Sequence, residues 1–180
     1  GKEEVNMSLK VSIITSVYNN EATIEDAIKS VLSQNYSDIE YIVVDGASKD
    51  GTVNIIKKYE DKISTFVSEK DKGIYDAMNK GIKAAKGEYV YFLNAGDSFY
   101  SNTILSELFE DVDLANVDFI YGKMQTVNEP TGINYIAGKK VSFVDFYYSY
   151  PICHQTTFTH KRVFDYMPLL DTGLKIMADN

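Results

Sequence analysis

The chain has one cysteine, Cys153, in 180 residues, so neither an internal disulfide nor a cysteine-built zinc cluster braces it. Its stability must come from core packing, and a reducing compartment suits it. Long apolar runs are also missing. The longest are strand-sized, such as Tyr41-Ile42-Val43-Val44, too short for a membrane helix, and no basic stretch leads into a hydrophobic signal segment. Positive charge is scarce: 18 Lys and Arg stand against 26 Asp and Glu, a net charge of −8, which argues against a nucleic-acid partner. With 44% apolar and 24% charged residues, disorder and collagen-like repeats are excluded as well.

Several nucleotide and hydrolase signatures are absent too. No G-x-G-x-x-G follows the first apolar run and no G-x-x-x-x-G-K-[ST] occurs; Gly132 through Gly138-Lys139-Lys140 has the wrong spacing and no strand before it. There is no G-x-S-x-G elbow and no H-E-x-x-H, so common serine hydrolases and zinc proteases lose support. A diphosphate ligand would therefore need a metal in place of a glycine cradle.

What is present is a change of period repeated along the chain. Residues 11–14 form a continuous apolar run, the pattern of a strand buried on both faces. Ile24, Ala27, Ile28, Val31 and Leu32 then mark one helix face, with Thr23 placed to cap it. The cycle repeats with a strand over 41–44, a turn over 45–51 and a helix over about 52–59. A weaker strand over 65–68 precedes a helix marked by Ile74, Ala77, Met78, Gly81, Ile82 and Ala85. The strand over 89–93 precedes a helical face of Ile104, Leu105, Leu108, Phe109 and Val112. This alternation predicts an α/β fold with a mostly parallel sheet and helices on both sides.

Beyond Asp118 the pattern weakens. Strands are expected over 119–121 and 124–127, a turn over 130–132, mixed helical spacing over 141–150, and an edge strand over 155–159 leading to a short helix. Met7 reads as a natural start, and the chain stops at Met177-Ala178-Asp179-Asn180 with no closing element, so a longer natural protein is expected.

Ligands of an open parallel sheet sit beyond the carboxyl ends of its strands. There the chain places Thr15-Ser16-Val17-Tyr18-Asn19, Asp45-Gly46-Ala47-Ser48 and Asn94-Ala95-Gly96-Asp97. Taken singly, Asp45 and Asp97 are as readily turn formers as ligand groups. Taken together at neighbouring strand ends, beside Tyr18 and hydroxyls, they can hold a base and ribose at one position and a divalent cation at the other.

Those three stretches, read with Val43-Val44-Asp45-Gly46-Ala47-Ser48-Lys49-Asp50-Gly51-Thr52, resemble the family-two glycosyltransferases of the GT-A fold over about half the chain. Asp71-Lys72-Gly73-Ile74-Tyr75-Asp76-Ala77-Met78-Asn79-Lys80-Gly81 is similar to the subgroup that builds bacterial surface polysaccharides. The resemblance implies a Rossmann-like three-layer sandwich. It implies one glycosyltransferase domain over 1–180, with a nucleotide-binding half at about 8–100 and an acceptor-side half at about 101–180, truncated at its C-terminus. It further implies that Thr15, Tyr18 and Asp45 hold base and ribose, with Asn19, Ser48, Asp71, Lys72, Asn94, Ala95, Gly96 and His154 completing the donor site. Asp97 would contact Mg²⁺ or Mn²⁺ bridging the diphosphate. Asn94 stands where the first aspartate of a D-x-D pair is often found, and the spacing to Asp97 is one residue longer, so coordination is expected to rest on one carboxylate.

Asp179 resembles the family's catalytic base, and His154-Gln155-Thr156-Thr157-Phe158-Thr159-His160 the segment before the acceptor site; a lone histidine is more often a structural imidazole than a ligand group, and of the two His154 is the better placed to touch the diphosphate. The implied reaction is single displacement with inversion, from a nucleoside-diphosphate sugar, with UDP as the expected carrier, to a saccharide or lipid-linked acceptor. A cytoplasmic location follows, with peripheral association at the inner membrane face. The competing readings are a non-catalytic nucleotide-sugar-binding module and, disfavoured by the missing glycine fingerprint, a nucleotide-dependent oxidoreductase. Tyr147-Tyr148-Ser149-Tyr150 is expected to be core rather than a sugar subsite. The nine lysines between Lys49 and Lys86 are expected mostly on solvated faces, Lys72 alone being placed to reach a phosphate.

Overall fold

The apolar run that starts at Val11 forms β1 (Val11–Val17), and all seven of its residues are buried. The structure, a computed structural model, describes residues 10–110, 112–128, 131, 133–138, 140, 154–166 and 169–172. After β1 come α1 (Ile24–Leu32), β2 (Ile39–Asp45), α2 (Thr52–Lys57), a 3₁₀ turn (Glu60–Lys62), β3 (Thr65–Ser68), α3 (Ile74–Ala84), β4 (Tyr89–Phe92) and α4 (Ile104–Phe109). The second half supplies β5 (Phe119–Tyr121), β6 (Met124–Asn128), β7 (Ile133–Ala137), a 3₁₀ turn (His154–Thr156), β8 (Thr157–His160) and α5 (Val163–Tyr166).

Six strands make the central sheet in the order β3-β2-β1-β4-β8-β5, and β6 and β7 pair as a separate antiparallel ribbon. The pairs β1–β2, β1–β4 and β2–β3 are parallel, whereas β8 runs antiparallel to both β4 and β5. The expected mostly parallel sheet is therefore found. β8 is not the edge strand expected over 155–159: it is inserted between β4 and β5, and β5 forms the edge. Its single buried residue, Phe158, stacks on Tyr91 with ring centroids 4.3 Å apart, which seats the strand against β4.

Alternate side chains of β1 feed two cores. Val11, Ile13 and Val17 join Ala27, Ile28, Val31 and Ile56 from the α1 and α2 face, with Leu105 and Phe109 of α4. Ile14 joins Ile42, Val44, Ala77 and Ile82 on the α3 face. Each fully buried aliphatic side chain contributes about 1.5–3 kcal/mol. α3 lies close to β1 because Gly81 faces Ile14, where a Cβ would come within 3.1 Å of Ile14 Cδ1 and closer still to Cγ2.

Three local expectations are corrected. β1 runs three residues past Ile14, because β2 continues beside it to Asp45 and pairs Thr15 with Val43 and Ser16 with Val44. α2 stops at Lys57 and is followed by a tighter turn. Thr23 does not cap α1 with its side chain; its hydroxyl donates to the Ala95 carbonyl at 2.5 Å and so ties the start of α1 to the turn after β4.

Candidate functional site

Parallel β1, β2, β3 and β4 end on one edge of the sheet, and the loops that leave it are stitched together by side chain to backbone hydrogen bonds. The Asn19 N–H donates to Ser48 Oγ (2.8 Å), the Lys49 N–H to Asn19 Oδ1 (2.8 Å) and the Asn20 N–H to Thr52 Oγ1 (2.8 Å). The Glu21 N–H donates to Asp50 Oδ2 (3.1 Å), and the Gly51 N–H returns a bond to Glu21 Oε2 (2.5 Å). The bond from Thr52 holds the Asp50 carboxyl below the usual carboxylate range. Asn19 and Ala47 adopt left-handed backbone conformations at φ 48° and φ 62°. Ala47, without glycine's freedom, is strained there. It is held by the Gly46 N–H to Val17 O bond (2.9 Å) on one side and the Ser48 N–H to Asp45 Oδ2 bond (3.1 Å) on the other.

The candidate residues divide into a floor and a face. Thr15 is fully buried with its hydroxyl 3.1 Å from Tyr41 Oη, and burial pushes the Tyr41 phenol far above its ordinary range. Asp45 is also fully buried. It accepts bonds from the Ser48 N–H, from Ser48 Oγ and from Ser68 Oγ (2.6 Å), joining the ends of β2 and β3. These two side chains, read from the sequence as holding base and ribose, are buried toward the carboxyl ends of β1 and β2 with these hydrogen-bond partners.

Tyr18 and Asp71 are on the face. Tyr18 is 59% exposed. A Cβ placed on Gly46 would sit 2.5 Å from Asp71 Oδ2 and 3.4 Å from Tyr18 Cδ2, so the missing side chain at 46 leaves the room that the Asp71 carboxylate occupies. Asp71 Oδ1 accepts from the Gly73 N–H (2.9 Å), while Oδ2 has no hydrogen bond among the described residues. Sequence reasoning named Asp71 and missed the dependence on Gly46, whose only signal was glycine at a strand end. Lys72 is exposed, and its N–H donates to Asp76 Oδ2 (3.1 Å). That bond, reinforced by Lys80, holds the Asp76 carboxyl below its ordinary value. Lys80 is itself paired with Glu69 at 2.8 Å and with Asp76 at 3.4 Å.

The turn after β4 closes with the Asp97 N–H on the Asn94 carbonyl (3.0 Å). Ala95 is buried, Gly96 is exposed, and Asn94 and Asp97 are half-buried at the same edge. No group of three His, Cys, Asp or Glu side chains converges among the described residues. One carboxylate fits a cation that arrives with a diphosphate and fills its octahedral shell with phosphate oxygens and water, the usual habit of Mg²⁺. Ser16 Oγ, at the end of β1, is buried without a hydrogen-bond partner among the described residues, a feature the sequence did not signal.

His154 opens the 3₁₀ turn that feeds β8 at this same edge, since β8 runs antiparallel to β4. His160 lies at the opposite edge, edge-on to Tyr89 at 5.0 Å, and its Nδ1 accepts the Arg162 N–H at 3.1 Å. Burial and Arg162 push its pKa below the ordinary value, so it is a neutral structural imidazole. Asp179, Cys153 and the aromatic cluster at 147–150 lie outside the described residues. An open groove of about 450 Å³ lined by Asp118, Phe119, Arg162, Val163 and Tyr166 also belongs to the opposite edge. Among the described residues no helix is long and apolar enough to cross a membrane.

Comparison with known proteins gives this edge a context. Residues 12–165 match the family model described as glycosyl transferase family 2. A Bacillus subtilis glycosyltransferase, TuaG, provisionally named for teichuronic acid biosynthesis, is 38% identical over 101 residues, covering 54% of this chain and 40% of its own length. The structure of S. aureus TarS in complex with UDP superposes with a TM-score of 0.70 at 25% identity, covering 88% of this chain and 48% of that one. A mannosyltransferase from Pyrobaculum calidifontis, solved with GDP-Man and Mn²⁺, superposes with a TM-score of 0.66 at 20% identity over 93% of this chain and 49% of its own. The chain spans between a fifth and two fifths of the length of the curated relatives it matches.

Proposed function

The chain belongs to glycosyl transferase family 2, and on that premise we propose that it takes a sugar from a UDP-linked donor bound at the carboxyl edge of its sheet and passes it to a saccharide or lipid-linked acceptor. The observation that carries this reading is the meeting of three elements at one edge: the exposed Tyr18 ring, the Asp71 carboxylate over Gly46, and the half-buried Asp97 in the turn after β4. The UDP bound to TarS and the GDP-Man and Mn²⁺ bound to the Pyrobaculum enzyme support a nucleotide-sugar donor and a divalent ion. The name of the Bacillus relative supports a place in polysaccharide biosynthesis.

In this reading Tyr18 stacks on the base. Asp71 Oδ2, the single acceptor left open on that carboxylate, takes one N–H from it. A uracil imide offers one such donor between two carbonyls, whereas guanine offers two adjacent donors and is better matched by a carboxylate with both oxygens free. Asn19 and Ser48, bonded to each other, fix the loops that flank the ribose. Lys72, exposed at the loop before α3, is placed to meet a phosphate oxygen.

Asp97 would hold Mg²⁺ or Mn²⁺, which when bound supplies Lewis-acid stabilisation to the leaving diphosphate. Asp179 would take the proton of the acceptor hydroxyl as it attacks the face opposite the leaving group, so the anomeric configuration inverts. The family resemblance also supports action at the inner face of the cell membrane, where lipid-linked acceptors are presented.

The test is transfer from UDP-sugars to a polysaccharide or lipid acceptor extract, with the anomeric configuration of the first-formed product read by NMR. Inverted product, lost in Asp97→Ala and Asp179→Ala, is the expected result. A retained anomer would sink the single displacement, and UDP binding without any turnover would favour a non-catalytic binding module.

A further inference from the structure

The chain leaves the central sheet at β5 and makes a ribbon that neither core claims. β5 runs antiparallel to β8, which runs antiparallel to β4, so β5 points the way β4 does and ends at the donor edge. The ribbon is rooted there. The Gly122 N–H donates to the Thr156 carbonyl (3.1 Å) and Thr156 Oγ1 to the Gly122 carbonyl (3.2 Å), which ties the root to the 3₁₀ turn before β8. β7 returns to the same point: at Gly138, where φ is 117°, a Cβ would lie 3.0 Å from Lys123 Cα and 3.1 Å from the Gly122 carbonyl oxygen. The ribbon thus begins and ends beside the donor edge.

Across the ribbon Val127 is opposite Asn134 and Ile136 opposite Gln125, which puts both aliphatic side chains on one face; Tyr135, opposite Thr126, is on the other. Val127, Tyr135 and Ile136 are 58%, 55% and 68% exposed. No described residue of the ribbon belongs to either core cluster. A strand pair that covers a core buries one face, whereas this one exposes apolar side chains on both. Lys123 at the root and Lys140 just past Gly138 are exposed, and neither is ion-paired among the described residues. In sequence the span 122–140 has Lys123, Lys139 and Lys140 against one acid, Glu129, so it is net basic in a chain whose net charge is −8.

Size and charge together indicate what covers these side chains. Five residues of strand span about 17 Å and two strands about 10 Å, so each face offers on the order of 170 Å², against the roughly 800 Å² per partner of a stable protein interface. Nor can one flat protein surface cover side chains on opposite faces. A lipid headgroup layer is fluid: it closes round both faces, suits an interfacial tyrosine and, where anionic, attracts lysines. We propose that the β6–β7 ribbon docks the protein on an anionic bilayer, with Val127, Tyr135 and Ile136 among the headgroups and Lys123 and Lys140 at the lipid phosphates. The docking stands on the ribbon alone; its use, to hold the donor edge beside a lipid-linked acceptor, rests on the proposed function.

Flotation with vesicles of phosphatidylcholine, alone or in equal parts with phosphatidylglycerol, tests this. The proteins are the wild type, Val127→Ser with Ile136→Ser, Lys123→Gln with Lys140→Gln, and Tyr166→Ser, a control as exposed but at the opposite edge. The wild type should float with the mixed vesicles and far less with phosphatidylcholine alone. Each lysine beside an anionic bilayer is worth about fivefold in partitioning, so the glutamine pair should lower it about 10- to 30-fold, and high salt should do the same to the wild type. The serine pair should lower it at least about tenfold, and Tyr166→Ser should change it less than about twofold. UDP affinity within about threefold of the wild type shows that each variant is folded, and the glutamine pair keeps the docking testable should the serine pair disturb the ribbon.

No flotation of the wild type, flotation unchanged in either folded paired variant, or an equal loss in Tyr166→Ser would overturn the docking. So would a wild-type dimer in sedimentation velocity that the serine pair dissociates, since the ribbon would then be a protein interface. Flotation as expected by a folded wild type that binds no UDP would overturn the donor site and leave the docking standing.

Discussion

Asp45→Ala separates a brace from a ligand contact. The Asp45 carboxylate is fully buried and accepts from the Ser48 N–H at 3.1 Å, from Ser48 Oγ and from Ser68 Oγ at 2.6 Å. Alanine leaves the Ser48 amide without its acceptor, a loss of about 1–3 kcal/mol, and removes two hydroxyl bonds to a charged group. Ser68 is exposed and its hydroxyl turns to water at little cost, so the expected destabilisation is about 3 kcal/mol. Asparagine keeps one acceptor oxygen and turns an amide toward hydroxyls that can reorient, which lowers the expected loss to about 1 kcal/mol. Urea unfolding followed by circular dichroism measures both, and titration with UDP at a temperature where each variant is folded measures the site. The brace predicts stability and affinity falling together, in the order alanine, asparagine, wild type. Stability unchanged within about 0.5 kcal/mol in Asp45→Ala, with UDP affinity lost, would refute it and make Asp45 a direct ligand group.

Three further outcomes follow from other sites. Gly81→Ala should destabilise by about 1–2 kcal/mol in the same urea assay, because the overlap with fully buried Ile14 outweighs the gain in helix propensity. His160 has a folded pKa below its ordinary value of 6.5, so the unfolded chain binds more protons in the window just beneath 6.5. Stability from this group is complete above about pH 6.5 and is lost as pH falls toward the folded value; His160→Phe should flatten the slope between pH 7 and 5, and an unchanged slope would exclude His160 as its source. Asp71→Asn keeps the acceptor for the Gly73 N–H and replaces the open Oδ2 with an amide donor. UDP should weaken about 10- to 100-fold and CDP, whose base has an acceptor at that position, should weaken less, as competition titration will show.

The strand and helix alternation from Val11 to Asp97 was legible because strands buried on both faces leave continuous apolar runs and α1 and α3 leave regular stripes. That local periodicity carried the fold class and the edge on which ligands sit. It carried nothing of where β8 and β5 go, since the pairing of Phe158 with Tyr91 joins residues 67 positions apart and local spacing does not record it. The same limit applies inside the site. Residue type singled out Thr15 and Asp45, but their full burial and their hydrogen-bond partners Tyr41 and Ser68, 26 and 23 residues away, are not recorded in local spacing. Thr23 looked like a cap and instead reaches the Ala95 carbonyl, 72 residues on. Asn79 lies within the 71–81 stretch, yet its partner, Leu170, is 91 residues on and local spacing does not record it.

The central claim is that the edge bearing Tyr18, Asp71 and Asp97 binds a nucleoside diphosphate with a divalent ion held by Asp97. Isothermal titration of the folded protein with UDP, with and without Mn²⁺, in the wild type and in Asp97→Ala, tests it most directly. The predicted result is UDP binding that Mn²⁺ tightens at least about tenfold, equivalent to 1.4 kcal/mol, in the wild type and leaves unchanged in Asp97→Ala. Equal Mn²⁺ dependence in both proteins, or no nucleotide bound by a folded wild type, would contradict it.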